Sequence, residues 1–276
     1  MSATNGRWGA RASRRAVTLI EMLVVTAILG VLASVLVPTA LKARIGAEAV
    51  KCRSNLAQIG KAMVMYTMQW DGCYPATRWS GGSKQRWPFA LRPFVGAPLT
   101  DNDALESTAA NGNRIINPLF LCPSVRASKN QTKGQRVFFR EGSYGYNWGT
   151  FGPFYPNTAG DGISPSWRYP ASYTCIEKPA STVLVADSFG NADLTDCHAY
   201  TLDPPRPVHG HTRWGATSGT GMTPMDNRHS GRGNVVFADG HAAPLTMREA
   251  GYNADEPWLV DGTGDNALWT GLGAAN

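Results

Sequence analysis

The stretch VTLIEMLVVTAILGVLASVLV, residues 17–37, decides more about this chain than any other segment. It contains one charged residue, Glu21, and as a helix it spans about 32 Å, enough to cross the apolar core of a bilayer. A carboxylate in hydrocarbon costs about 3 kcal/mol on insertion scales, so a glutamate at this position needs a physical reason. The stretch predicts a membrane-spanning helix that carries one acid with a role of its own.

The net positive charge of the chain is concentrated just before this helix. Four arginines and no acid lie in the first sixteen residues, and the rest of the chain, with 22 basic and 20 acidic residues, is nearly neutral. By the positive-inside tendency, the N-terminus stays in the cytoplasm and the C-terminal bulk is exported. Because the excess charge is local, no nucleic acid is expected to bind the head.

Three interpretations account for residues 17–37. The first is a secretory signal peptide and the second a plain membrane anchor. In the third, a peptidase cuts between Ala16 and Val17 and creates an ammonium group at Val17, one helical turn before Glu21. The ammonium group of a neighbouring subunit would then pair with this carboxylate, which offsets the cost of burial and sets the register of assembly.

The pattern RRA followed by VTLIEMLVVTAILGVLA resembles the type IV prepilin family, which includes the pseudopilins of type II secretion. Agreement is close over residues 18–21, whereas Ala16 stands where glycine is usual and Val17 where phenylalanine is usual. Pro38 falls where family members often carry a helix-kinking proline. The resemblance implies cleavage before Val17 by a prepilin peptidase and methylation of the new amine.

Residues 38–70 are predicted to continue the helix as an amphipathic segment. Apolar side chains recur there in steps of three and four, at Leu41, Ile45, Ala49, Cys52, Leu56, Ile59, Met63, Tyr66 and Trp70. Asp71-Gly72 then ends the helix. The predicted organisation is a basic leader over residues 1–16, a transmembrane or filament-core helix over 17–37, the amphipathic continuation over 38–70 and an exported head over 71–276.

The head is predicted to be a small antiparallel β-sheet with long loops, which makes the whole chain an α+β protein of pilin-like layout. Short β-like runs occur at Leu119–Leu121, Arg136–Phe139, Ser143–Tyr146, Thr182–Ala186 and Asn234–Ala238. Polar, glycine- and proline-containing loops are predicted between them, over residues 97–117, 150–170 and 192–223.

The motif RHSGRGNVVFADGHAAPL, residues 228–245, contains His229, then nine residues, then Asp239-Gly240. This H-X9-DG spacing over residues 229–240 resembles the C-terminal signature of a large group of prepilin-like proteins that is abundant in planctomycetes. Other fragments fit the same group: NLAQIGKAMVMY, DGCYP, LFLCPS, SYGYN and TVLVADS. In the simpler interpretation Asp239-Gly240 forms the turn of a hairpin. In the other, His229, Asp239 and His241 converge with Asp187 on a metal or ligand.

Calcium or another divalent metal is the only cofactor considered for the head. Secretion pseudopilins often hold calcium in a C-terminal loop, although histidine is a poor ligand for that ion. A second arrangement, suited to zinc, consists of Cys197-His198 with His209 and His211. Cys122 follows the apolar LFL and precedes a proline, so it is interpreted as a buried structural cysteine or half of a disulfide.

The sequence lacks a G-x-S-x-G elbow, a Walker loop and an HExxH helix, so an enzyme is not expected. The resemblance implies a structural subunit, in a minor role, of a type IV pilus-like or type II secretion pseudopilus-like filament. Its partners would be prepilin peptidase, other pilin subunits, the inner-membrane assembly platform and the membrane, with the head periplasmic or extracellular.

The main alternative is a membrane-tethered periplasmic protein that binds a glycan or peptide. Its stacking surface would come from tryptophans of the head, namely Trp79, Trp87, Trp148, Trp167, Trp214, Trp258 and Trp269. A tethered hydrolase is a third hypothesis. Glu21→Gln separates the filament subunit from the binding protein, because only filament assembly depends on that charge.

Overall fold

The computed structural model describes residues 17–77, 87–96, 118–125, 144–151, 171–189, 201–206, 223–255 and 263–271. The chain divides into two compact units, Met1–Arg44 and Ile45–Asn276. The described residues form one long helix and a five-stranded sheet. This confirms the predicted α+β, pilin-like layout.

The long helix α1 spans Leu19–Gln69 and contains Pro38 without a break. It ends where Asp71 and Gly72 adopt positive φ values of 49° and 79°, and the Gly72 N–H donates to the Thr67 carbonyl at 2.8 Å. This bond satisfies a carbonyl that the last turn leaves without an intrahelical partner. The Asp-Gly pair therefore ends the helix as predicted, and the kink at Pro38 stays a prediction.

The first part of α1 is apolar and exposed in the single chain. Leu19, Ile20 and Leu36 keep 83%, 69% and 62% of their surface accessible, and the helix is long and apolar enough to cross a membrane. Side chains this apolar are not stable in water as one continuous surface. This half of the helix fits a single-pass membrane anchor.

The second part of α1 packs on the sheet through one stripe of side chains. Burial of this stripe is complete or nearly so at Cys52, Leu56, Ile59, Met63 and Tyr66. The predicted apolar stripe is therefore confirmed over this stretch. Its outer members, Leu41, Ile45 and Trp70, are about half exposed.

The sheet has the strand order β3-β1-β2-β4-β5. Its strands are β1 (Tyr144–Asn147), β2 (Val183–Asp187), β3 (Thr201–Leu202), β4 (Gly233–Phe237) and β5 (Ala242–Leu245). The pairs β1–β2, β2–β4 and β4–β5 are antiparallel, whereas β1 and β3 are parallel. The sheet is thus mixed at one edge, where a wholly antiparallel sheet was expected. The described residues also form two short helices, α2 (Trp87–Ala90) and α3 (Trp148–Phe151), and several 3₁₀ turns.

Three of the predicted strands are found within one or two residues, as β1, β2 and β4. The prediction at Leu119–Leu121 was wrong, because Pro118–Phe120 forms a 3₁₀ turn. Prolines at 118 and 123 flank this run and cannot donate to a strand ladder, and three apolar residues carry no period by themselves. Strand β3 lies inside the predicted loop 192–223, and Arg136–Phe139 lies outside the described residues.

Both faces of the sheet are covered, because alternate residues of the central strands enter two hydrophobic clusters. On the helix side, Leu56 and Ile59 pack with Tyr144, Tyr146 and Val236. The opposite face is covered by residues that follow the sheet, through Met247, Tyr252 and Trp269, which contact Val235 and Phe237. Strands buried on both sides lose the simple alternation of polar and apolar residues.

Candidate functional site

The processing segment begins the described part of the chain. Ala16 lies outside the described residues, and Val17 is exposed directly before the helix. Thr18 precedes the first helical residue, and its N–H and Oγ1 both donate to Glu21 Oε2 at 2.8 Å. The Glu21 N–H donates back to Thr18 Oγ1 at 3.3 Å. Thr18 and Glu21 therefore form a capping box at the start of α1.

The capping box is a function of Glu21 that the sequence interpretation missed, although T-x-x-E before an apolar run is its usual signature. It satisfies one backbone donor of the first helical turn, which hydrocarbon would otherwise leave without a partner. Both hydrogen bonds from Thr18 end on Oε2. The second carboxylate oxygen, Oε1, makes no hydrogen bond to the described residues and is the atom available to a further donor.

The two ends of the H-X9-DG stretch, His229 and Asp239-Gly240, lie at opposite ends of strand β4. Asp239 and Gly240 form the turn between β4 and β5, where Gly240 has a φ of +90°. Asp239 Oδ1 accepts hydrogen bonds from the His241 N–H at 3.0 Å and from His241 Nδ1 at 2.6 Å. His229 lies before the other end of β4 and is buried. Asp239 and His241 are thus a surface pair, separated by the strand from His229.

The β4–β5 turn lies directly against α1. A Cβ added at Gly60 would meet Val236 Cγ2 at 2.5 Å and the Gly240 carbonyl oxygen at 3.0 Å. Two glycines from distant parts of the sequence therefore allow the helix and the turn to approach closely. The Asp-Gly half of the motif forms the turn of the hairpin, as the simpler interpretation predicted, and the structure adds a contact of this turn with the helix.

The His half of the motif belongs to a buried polar cluster. Four side chains place one potential ligand atom each within 4.8 Å of all the others: Cys52, Cys122, Asp187 and His229. All four residues are buried, from 0% exposure at Cys52 and Asp187 to 6% at His229. The predicted convergence of His229 with Asp187 is found here, but the other two members are cysteines in place of Asp239 and His241.

Each member of the cluster is held by a different element. Cys52 lies on the buried stripe of α1, and Asp187 is the last residue of β2. His229 opens a tight turn before β4, since its N–H donates to the Arg232 carbonyl and Ser230 and Gly231 both have positive φ.

Cys122 follows the 3₁₀ turn that replaces the predicted strand. Phe120, two residues earlier, is fully buried with its ring edge-on to Trp87 at 5.7 Å. Asn55 on α1 donates its side-chain amide to the Leu121 carbonyl at 3.2 Å. These contacts hold the cysteine over the helix.

Hydrogen bonds within the cluster concentrate on one carboxylate and one imidazole nitrogen. His229 Nε2 lies 3.3 Å from Asp187 Oδ2 and 3.5 Å from Cys122 Sγ. Cys52 Sγ donates to Asp187 Oδ1 at 3.1 Å, and the Asn234 N–H donates to Asp187 Oδ2 at 2.8 Å.

Burial and these contacts shift the pKa values of His229, Cys122 and Cys52. Burial lowers the pKa of His229, but the hydrogen bonds to Asp187 and Cys122 outweigh it and raise the pKa to about 9. Interactions with the Cys52 thiol and with His229 hold the pKa of Cys122 well below its usual range, while burial raises the pKa of Cys52. Cys122 is therefore the readier of the two to become a thiolate, the form that binds metals.

The geometry does not fit a Cys-His-Asp catalytic triad. In a triad, the carboxylate binds Nδ1 and leaves Nε2 to serve the nucleophile. Here Asp187 and Cys122 both face Nε2 of His229, and Nδ1 has no hydrogen-bond partner among the described residues. His229 Nε2 carries either one proton or one lone pair, so it cannot make a full hydrogen bond to both Asp187 and Cys122. A metal ion placed among the four side chains would contact all of them.

The other candidate residues divide between the core and the part of the chain that is not described. Trp87 and Trp269 are fully buried, and Trp148 donates its indole N–H to Asp203 at 2.8 Å. The buried rings of Trp87 and Trp269 offer no stacking surface to a glycan, whereas Trp148 is half-buried. The remaining candidates lie outside the described residues, namely Trp79, Trp167, Trp214, Trp258, Cys197, His198, His209 and His211.

Local sequence patterns only weakly indicate that Cys52 and Cys122 belong to a site. They share no CxxC pair or other ligand spacing, and 135 residues separate Cys52 from Asp187. The one available signal was position, since Cys52 belongs to the predicted buried stripe and Cys122 follows an apolar run.

Comparisons with known proteins agree with the N-terminal features. The prokaryotic N-terminal methylation motif matches residues 11–37, about a tenth of the chain. Curated proteins and solved structures give no match. The motif supports a pilin- or pseudopilin-type substrate of prepilin peptidase, and it implies assembly with other pilin subunits. It also favours a structural subunit over an enzyme, and the chain is similar to type IV pilin-like proteins through this segment.

Proposed function

We propose that this chain is a minor subunit of a type IV pilus-like or type II secretion pseudopilus-like filament. It enters the inner membrane as a single-pass protein, and prepilin peptidase cuts it between Ala16 and Val17. The observation that carries the proposal is the N-terminal methylation motif over residues 11–37. Its end coincides with the end of the apolar run at Val37.

The exposed apolar half of α1 gives the proposal its physical basis. Residues 17–37 need either lipid or other apolar helices around them. Inside the membrane, lipid fills this need, and in a filament the same residues of neighbouring subunits do so. Assembly therefore exchanges one apolar environment for another, and the driving force comes from packing and from polar contacts between helices.

Glu21 supplies the polar contact. The capping box uses Oε2 and leaves Oε1 for the ammonium group that cleavage creates at Val17 of a neighbouring subunit. The cut lies before Val17, so the Thr18 N–H that donates to Glu21 remains in the mature chain. Pairing of the two charges offsets the cost of burying either one, and losing one partner leaves the other uncompensated.

The capping box makes Glu21→Gln a sharp test of this role. Glutamine also serves at this position of a capping box, so the variant keeps the helix start and removes only the charge. Thr18→Ala is the matched control, because it keeps the charge and removes the cap, at a cost of about 1 kcal/mol in helix stability. The measurements are the mature N-terminus by mass spectrometry and the amount of subunit in sheared filaments by immunoblot.

We expect Glu21→Gln to be inserted and cleaved normally but to be lost from filaments, and Thr18→Ala to be incorporated. Incorporation of Glu21→Gln at the wild-type level contradicts the charge-pairing role. A wild-type chain that stays in the membrane uncut and never enters filaments contradicts the filament function and supports the tethered binding protein. The ratio of this subunit to the most abundant subunit in sheared filaments tests the minor role, which the large, loop-rich head over residues 71–276 supports.

A further inference from the structure

We propose that Cys52, Cys122, Asp187 and His229 form a structural zinc site that fastens α1 to the sheet. The inference goes beyond a role in a filament, because it concerns how the exported head holds its N-terminal helix. Four donors come from four separate segments and meet at one point in the protein interior. The donor set is two thiolates, one imidazole and one carboxylate, each an accepted zinc ligand in a four-coordinate site.

The distances between donors fit a tetrahedral ion. With zinc bonds of about 2.0–2.3 Å, the tetrahedral edges are about 3.3 Å between nitrogen and oxygen and about 3.6 Å between nitrogen and sulfur. The corresponding distances are 3.3 Å from His229 Nε2 to Asp187 Oδ2 and 3.5 Å from Nε2 to Cys122 Sγ. The contact of 3.1 Å from Cys52 Sγ is to the other carboxylate oxygen, Asp187 Oδ1, and is a thiol hydrogen bond that lies outside this comparison.

The surroundings of the donors suit a metal centre. The Asn234 N–H binds Asp187 Oδ2 and orients the carboxylate, as outer hydrogen bonds do for metal ligands. Arg228 is close enough to interact electrostatically with Asp187 and both cysteines, and it pairs with Asp226 at 2.8 Å. Two thiolates and a carboxylate carry one more negative charge than zinc neutralises, and the Arg228 guanidinium, which the cluster shares with Asp226, offsets part of that excess.

A disulfide between Cys52 and Cys122 is the main rival, because exported proteins form disulfides. It accounts for two of the four side chains and leaves Asp187 and His229 as a buried pair, which costs more in desolvation than it gains unless its geometry is excellent. Calcium is disfavoured because it takes six to eight oxygen ligands, and this cluster offers sulfur and nitrogen. Zinc uses every donor and protects both thiols from oxidation.

The test is metal analysis of the full chain purified in detergent without chelators. We expect about one zinc ion per chain by elemental mass spectrometry, with both thiols unmodified in the intact mass after denaturation. After removal of zinc, Co²⁺ should restore one equivalent of binding and give a thiolate-to-cobalt charge-transfer band with intense ligand-field bands of a tetrahedral ion.

Matched variants locate the site. Cys122→Ser and His229→Ala should lower metal content at least tenfold, whereas Cys175→Ser, at an exposed cysteine, and His241→Ala, at the surface histidine, should keep it. Asp187→Cys should retain metal and shift the cobalt charge-transfer band, because a third thiolate replaces the carboxylate. This measurement does not depend on whether Cys122→Ser and His229→Ala fold.

Two results overturn the proposal. The first is a wild-type chain that binds no zinc or cobalt when supplied with excess metal and is 52–122 disulfide-linked by peptide mapping. The second is metal bound equally by wild type, Cys122→Ser and His229→Ala. Neither result bears on Glu21 or on filament incorporation, so failure of the metal site and failure of the filament role are distinguishable.

Discussion

Replacing Gly60 with alanine tests how closely α1 docks on the β4–β5 turn. The new Cβ would lie 2.5 Å from Val236 Cγ2 and 3.0 Å from the Gly240 carbonyl oxygen. Carbon atoms pack best at about 3.5–4.0 Å, so the first contact is about 1 Å too short. Both neighbours are in the core or backbone of the sheet and cannot swing away, so the helix and the turn must separate.

The magnitude follows from two opposing effects. Alanine in place of glycine stabilises a helix interior by about 1 kcal/mol, and overpacking of a well-packed core costs about 1–3 kcal/mol. Gly46→Ala is the matched control, because Gly46 lies on the same helix and a Cβ there meets nothing within 4 Å. We expect Gly46→Ala to raise the free energy of unfolding slightly, and the free energy of unfolding of Gly60→Ala to be about 2 kcal/mol lower than that of Gly46→Ala. That difference corresponds to about 4–8 °C in Tm for a chain of this size.

The assay is thermal unfolding of the detergent-solubilised chain, followed by fluorescence of the buried tryptophans Trp87 and Trp269. Val236→Ala combined with Gly60→Ala should show positive coupling, because it removes the methyl group that clashes. Equal Tm values for Gly60→Ala and Gly46→Ala would refute the close approach of the helix to the turn, and with it the structural role assigned to Gly240.

Three further predictions concern the buried Tyr252, the zinc site and the mature N-terminus. Tyr252→Phe should lower the free energy of unfolding by about 2 kcal/mol, because it leaves the Asp203 carbonyl and the Met225 N–H without their buried partner. Tyr173→Phe, at an exposed tyrosine, should change the free energy of unfolding by less than about 0.5 kcal/mol. Equal effects of the two variants in chemical denaturation argue against the buried network. Stripping zinc with a chelator should lower the Tm by about 10 °C, since an ion at a thousandfold excess over its Kd contributes about 4 kcal/mol; an unchanged melting curve contradicts a structural role for the ion. Mass spectrometry of the mature protein should find an N-terminal peptide that begins with a methylated Val17, and Ala16→Gly should raise the cleaved fraction; a terminus elsewhere contradicts the assignment of the cut.

Much of the fold follows from local pattern. The continuous apolar run at 17–37 and the stripe from Cys52 to Tyr66 predict α1, because helix formation depends on neighbours three and four residues away. Strands β2 and β4 are short, valine-containing apolar runs bounded by turn residues, and these too are local signals. The Asp-Gly turns at 71–72 and 239–240 follow from the ease with which glycine adopts positive φ.

The candidate site shows where local pattern stops. Of its four donors, His229 and Asp187 were predicted to converge, but together with Asp239 and His241, whereas Cys52 and Cys122 were assigned only to the core or to a disulfide. Asp239 and His241 have the residue types of metal ligands, but β4 separates them from His229. A spacing of nine residues identifies the motif, but strand β4 separates its two ends. His229 therefore belongs to the buried cluster and Asp239-Gly240 to the surface turn.

The sequence by itself determined the membrane-length helix, its processing motif and the positions of strands β1, β2 and β4 along the chain, because these depend on residues close to one another in the sequence. Tertiary structure alone decided that β3 joins β1 in parallel, that Gly60 meets Gly240, and that Cys52 lies beside a carboxylate 135 residues away. Such contacts are set by how the helix and the strands pack, and packing is a property of the whole chain that no short stretch of it encodes.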